Sequence, residues 1–98
     1  MILESAILNV IPGQGPDFES AFGEARAIIA AMPGFISLQL HKCIEEPGRY
    51  LLLVQWQRLE DHTEGFRGSD RFGEWRRLLN HFYDSVPVVE HYEHVVRA

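Results

Sequence analysis

The sequence predicts an α+β fold: a four-stranded antiparallel sheet with helices on one face, in the order β-α-β-β-α-β. Three observations point to it. Four apolar segments carry the two-residue period of strands. The stretches between the first and second, and between the third and fourth, carry the 3.6-residue period of amphipathic helices. Proline and glycine punctuate most of the junctions. At 98 residues the chain is expected to form one domain, 1–98, because two cores cannot be built from so little.

The first strand is Ile2 to Ile11, closed by PGQGP. Pro16 and Asp17 open a helix: proline lacks an N–H that would be unpaired there, and the aspartate complements the helix dipole. Phe18, Ala21, Phe22, Ala25, Ile28, Ile29 and Met32 form its apolar stripe, and Pro33–Gly34 stops it. Phe35–Ile44 and Tyr50–Trp56 read as a hairpin turning on Pro47–Gly48. Pairing Ile44 with Tyr50 sets Leu40 opposite Val54 and Leu38 opposite Trp56. One face then carries Ile36, Leu38, Leu40, Leu52, Val54 and Trp56. The other carries Ser37, Gln39, His41, Cys43, Leu51, Leu53 and Gln55. Leu59–Phe66 suggests a short helix, and RGS breaks it. Ser69 can cap the next helix, whose stripe is Phe72, Trp75, Leu79 and Phe82. Val88–Val96 is the last strand.

The helices can cover only one side of this sheet. The opposite side, with Leu51 and Leu53 on it, would otherwise meet water, so a second copy is the expected cover and the protein is expected to be a homodimer. A chain this short buries only about 60–65% of the surface its unfolded form exposes, which also favours association.

Composition narrows the function. Hydrophobic residues make up 46% and charged residues 23%, an ordinary globular balance. A net charge of −5, with nine Lys and Arg scattered among fourteen acids, argues against nucleic acid. No apolar run approaches the ~20 residues of a membrane span. The start, MILESAILNV, has no basic region or cleavage site. With a lone Cys43, that points to a reducing cytoplasm.

The GF opening the second strand, the strand ending in Trp56 and the helix pair GFRGSDRFGEW, with Ser69 and Phe72 at its restart, resemble the antibiotic biosynthesis monooxygenase (ABM) domain. The likeness spans nearly the whole chain, including the closing PVVEHYEHV. The resemblance implies a ferredoxin-like fold and a dimeric α+β barrel, with a pocket in each subunit between sheet and helices. Some members oxidise phenols to quinones with molecular oxygen and no cofactor; others degrade haem. The haem-degrading members use an Asn on strand one, a Trp on the middle helical segment and a His on the last helix. Aligned on Ser69–Asp70, this chain has Phe66 and Arg76 at the last two positions, and Asn9 falls only near the first. Haem cleavage is therefore disfavoured.

The resemblance makes Trp56 a flat wall for an aromatic substrate; as a plain core residue it would simply fill the sheet–helix layer. Phe66, Phe72 and Tyr83 are further substrate contacts on this view. His62 is either an exposed helical histidine or the base that takes a phenolic proton, since its ordinary pKa lies near neutral. Arg76, with Arg67 and Arg71, either stabilises the resulting anion or lies on a solvated face with Asp70 and Glu74. His91 and His94 point to opposite faces of a strand and cannot chelate one ion; His41 and Cys43 share a face but lack a third ligand, so no metal is expected. His41, Gln39, Gln55, His91 and Tyr92 are expected near the subunit contact. The function expected is a cofactor-independent oxygenase of a small aromatic molecule, or alternatively a non-catalytic dimeric binding or structural module.

Overall fold

The computed structural model describes residues 1–98. Strand β1 (Ile2–Asn9) is followed by helix α1 (Gly15–Ala30), strands β2 (Phe35–Lys42) and β3 (Arg49–Trp56), a π-helical turn at Asp61–Phe66, helix α2 (Asp70–Leu79), a short 3₁₀ turn at Asn80–Phe82 and strand β4 (Val88–Glu93). The strands lie in the order β2-β3-β1-β4, and every adjacent pair is antiparallel. The central strands β1 and β3 pair along their full length, from Ile2 opposite Trp56 to Asn9 opposite Arg49. This is the α+β, ferredoxin-like arrangement expected.

The two-residue period sorts the side chains. Ala6, Leu8 and Val10 of the first segment and Tyr50, Leu52, Val54 and Trp56 of β3 are buried beneath the helices. Phe18, Phe22, Ala25 and Ile29 descend from α1, and Trp75 and Leu79 from α2, to close that core. Phe22 and Trp75 meet edge-on at 5.5 Å, a geometry worth about 0.5–1.5 kcal/mol beyond the area it buries. On the other face Leu51 and Leu53 are half-buried, while Val88 and Tyr92 are exposed. That face has no helix on it.

Four local expectations are corrected. In the β2–β3 hairpin Lys42, not Ile44, lies opposite Tyr50, so Leu38 meets Val54 and Leu40 meets Leu52. The turn closes at Glu46–Arg49, with Gly48 at φ +84°, and leaves Ile44 out in solvent. A two-residue shift preserves the faces. At the strand's start, however, a bulge places Phe35 opposite Trp56 and turns Ile36 outward, 43% exposed. Ser69 occupies the N-cap position of α2 but donates its hydroxyl to the Phe66 carbonyl at 2.7 Å, so it does not cap the helix through its side chain. Finally, β4 stops at Glu93; Val95 and Val96 lie beyond it and are exposed.

Candidate functional site

The site grows out of a charged residue on an apolar row. Glu4 shares its strand parity with Ala6 and Leu8, so β1 drives its carboxyl under the helices, where it is 5% exposed. Across the sheet it lies opposite Val54 on one side and His91 on the other. Burying a carboxyl without partners would cost several kcal/mol, and two side chains meet this one. Trp56 donates its indole N–H to Glu4 Oε1 at 2.9 Å, and His62 Nε2 lies 3.4 Å from the same oxygen. Both contacts converge on Oε1. Oε2 has no protein partner, yet no buried side-chain oxygen is left unpaired, so it faces the open space above the sheet.

His62 owes its place to the wide turn that carries it. The Arg67 N–H reaches back five residues to the His62 carbonyl at 3.1 Å, which makes Asp61–Phe66 a π-helical rather than an α-helical turn. Both His62 and Phe66 point inward from it. The imidazole stacks on the Trp56 indole at 5.5 Å and 18°, and its Nδ1 lies 2.8 Å from Nε2 of His91. Burial, then the nearby charges of Arg67 and His91, push the His62 pKa down to about 3. Burial pushes Glu4 the opposite way, upward, against the Trp56 hydrogen bond and the Arg67 charge. Both shifts run against charge separation, so the Glu4–His62 approach at 3.4 Å is a polar contact with a neutral ring rather than an ion pair. The two imidazoles share one hydrogen bond between His62 Nδ1 and His91 Nε2, in which one ring donates and the other accepts. Burial and the Arg67 charge lower the His91 pKa as well.

Above this cluster lies a cavity of about 270 Å³. Its floor is Glu4, Ala6, Leu8 and Leu52, and its walls include Phe66, Phe72, Trp75 and Leu79. Phe66 and Phe72 meet edge-on at 5.3 Å. The exposed members Arg67, Arg76, Asn80 and Val86 form the mouth. The Arg76 guanidinium lies 5.9 Å from the Phe72 ring centre, within reach of a cation–π contact. Tyr83 also lines the cavity, and burial raises its hydroxyl pKa.

Of the residues singled out from sequence, His62, Phe66, Phe72, Arg76 and Tyr83 surround this one cavity. Trp56 does not. Its indole is 0% exposed and is sandwiched between the His62 and Phe35 rings, so it is a support behind the site rather than a wall of it. His62 is buried, not an exposed helical histidine. Arg71 pairs with Glu74 at 3.1 Å outside the cavity. His91 belongs to the helix-covered face with Glu4 and His62, not to the open face where Gln39 and His41 bond each other at 2.8 Å. Asn9 bonds Ser85 and Arg49 and takes no part in the cavity. No three His, Cys, Asp or Glu side chains are gathered as metal ligands, and no helix is long and apolar enough to cross a membrane.

Residues 1–78 match the model of the family described as antibiotic biosynthesis monooxygenase. An uncharacterized protein of Bacillus subtilis, YczJ, is 50% identical over 95 residues, 97% of this chain and all of that one. A crystal structure from Bordetella bronchiseptica carrying the same family designation superposes with a TM-score of 0.94 at 37% identity, over 97% of each chain. SnoaB, described as a cofactor-independent oxygenase of Streptomyces nogalater, shares the fold at a TM-score of 0.83 with 16% identity, over 98% of this chain and 94% of its own. The chain belongs to the antibiotic biosynthesis monooxygenase family.

Proposed function

We propose that the protein is a small-molecule oxygenase that oxidises a compact hydroxyaromatic substrate with molecular oxygen, without metal or flavin, as a homodimer. One observation carries this: an aromatic-walled cavity lined by a carboxyl and a neutral imidazole 3.4 Å apart. At about 270 Å³ it lies just under the ~300–1,000 Å³ typical of ligand pockets, which suits one or two rings rather than a haem. A phenolate gives up electrons to oxygen far more readily than the phenol does, so the protein's task is to take one proton and keep the site dry. The Glu4 carboxyl, with its pKa raised by burial and with the neutral His62 ring beside it, is the group for that task, and Arg67 faces the resulting negative charge. In phenol-to-quinone chemistry one oxygen atom enters the ring. The other leaves as water with the two hydrogens the substrate loses, so no external reductant is required. The description of SnoaB supports this reaction class, and the half-buried Leu51 and Leu53 beside exposed Val88 and Tyr92 support pairing of two open sheet faces.

The test is oxygen uptake across a panel of phenols and hydroquinones, with ¹⁸O₂ incorporation into product. His62→Ala is expected to slow turnover at least tenfold, about 1.4 kcal/mol in the barrier. A second reading, a binding module without turnover, is favoured by the His62 pKa near 3, which makes the ring a weak base, and by the hold of His91 on its Nδ1. Saturable binding of the panel with no oxygen uptake would establish it instead.

A further inference from the structure

We propose that the substrate is an acid: a compact hydroxyaromatic carboxylate whose carboxylate pairs with Arg76 at the cavity mouth while its hydroxyl faces Glu4 and His62. The inference rests on the proposed function and names the chemical class that the same cavity takes.

It begins from charge. The chain as a whole is acidic, with a net charge of −5. The cavity runs the other way. Its ionisable lining is Glu4, His62, Arg67, Arg76 and Tyr83. His62 and Tyr83 are neutral near pH 7, the first because burial holds its pKa near 3 and the second because burial raises a pKa already high. One carboxyl against two guanidiniums leaves at least one positive charge over, and more when Glu4 is protonated.

Neither guanidinium is held in an ion pair by the protein's own acids. The ion pairs of the chain join Lys42 to Glu19, Arg58 to Asp61 and Arg71 to Glu74, and His62 approaches Glu4; no acid pairs with Arg67 or Arg76. Arg71 shows that an acid on this same helix can neutralise an arginine when the geometry is supplied.

The two arginines also do different work. The charge of Arg67 is felt at Glu4, His62 and His91 together, so it belongs to the proton-transfer end and favours an anion formed there. Arg76 perturbs none of the three. It sits instead over the ring of Phe72, a wall of the mouth. The proton-transfer end is therefore supplied with its own cation, and Arg76 remains for a second negative charge. A planar guanidinium matches a carboxylate through two parallel N–H···O contacts. A positive cleft in an acidic protein also draws an anion to the one place it is welcome.

A matched pair of probes tests this without relying on turnover: 6-hydroxy-2-naphthoate and 2-naphthol, titrated calorimetrically into the intact protein at pH 7 and low salt. The acid is expected to bind at least tenfold more tightly, about 1.4 kcal/mol. That advantage should shrink as ionic strength rises. Arg76→Gln is expected to erase the difference while leaving naphthol affinity within about twofold, and Arg71→Gln to leave both affinities as they are. Equal affinities for the two probes, or a preference that survives Arg76→Gln, would overturn the assignment. Failure of both probes to bind would overturn it together with the aromatic-cavity reading beneath it. Tight binding of the acid without oxygen uptake would leave it standing and remove only the oxygenase.

Discussion

The bond between Trp56 and Glu4 makes a quantitative prediction about how the site is built. Trp56→Phe removes the N–H that approaches Glu4 Oε1 at 2.9 Å, in a place where the indole is 0% and the acid 5% exposed. A hydrogen bond to a charged group contributes about 1.5–3 kcal/mol. The smaller ring leaves a void, which adds roughly 1 kcal/mol at ~24 cal/mol per Å³. The expected loss is about 2.5–4 kcal/mol. Glu4→Met leaves the same N–H orphaned, at about 1–3 kcal/mol, partly offset because a carboxyl no longer has to be desolvated. Made together, the two changes remove donor and acceptor at once, and the pair should cost about 1.5–3 kcal/mol less than the sum of the singles. The contact from His62 to Glu4 is lost in both Glu4 variants and cancels from the cycle. Urea unfolding followed by far-ultraviolet circular dichroism, at pH 7 and one fixed protomer concentration, measures all four corners. Additivity within about 0.5 kcal/mol would mean that the bond carries nothing and that Trp56 is held by packing alone.

The neutrality of His62 gives a pH dependence. Its folded pKa near 3 lies below the ordinary 6.5, so between those values the unfolded chain binds the extra proton and stability rises with pH, by at most about 1.4 kcal/mol per unit, levelling off near pH 7. His91, shifted the same way, adds to this; Glu4, raised above 4.5, opposes it. His62→Asn should flatten the acid limb in urea midpoints from pH 4 to 7, and an unchanged limb would show that the ring is not held neutral. Gly34→Ala is expected to cost about 2 kcal/mol or more, because Gly34 sits at φ +84° and a Cβ there would collide with the Asp61 carboxyl; a melting temperature unchanged within 2 °C would count against it. Leu53→Arg, on the open face, should convert the proposed dimer to a monomer in light scattering after gel filtration; a dimer that survives it would move the contact elsewhere.

The fold was legible because parity and periodicity are local. Which face Leu52, Val54 and Trp56 share follows from their spacing, and an error of two residues in the hairpin register leaves that answer intact. A bulge is not local in this sense. It depends on where β2 meets its neighbour, so Ile36 and Phe35 exchange the places that spacing assigns them. Parity also gives the face but not the depth: it puts Trp56 under the helices without telling that His62 would stack over it and screen it from the cavity. Glu4 was missed although its signal was present, a carboxylate on the row of Ala6 and Leu8. Leu3 and Ile7 on the opposite row make both sides of β1 look apolar and conceal it. His91 could not be placed without knowing that β4 pairs with β1 and sets it opposite Glu4.

What stability alone would select here differs from what is present. Replacing a buried polar cluster by apolar side chains of similar volume is commonly neutral or stabilising, whereas removing one member leaves the others unpaired. Glu4, Trp56, His62 and His91 are joined by contacts of 2.9, 3.4 and 2.8 Å inside an otherwise aromatic and aliphatic layer. Leucines and phenylalanines would fill that layer as well. The cluster is also not closed on itself: Glu4 keeps one oxygen toward the cavity, and His91 reaches the half-exposed margin of the sheet. A network kept only to specify the fold has no need of an open acceptor at one end and a titratable ring near water at the other. A site that must take a proton from a bound molecule, in a pocket dry enough to protect what forms there, has use for both.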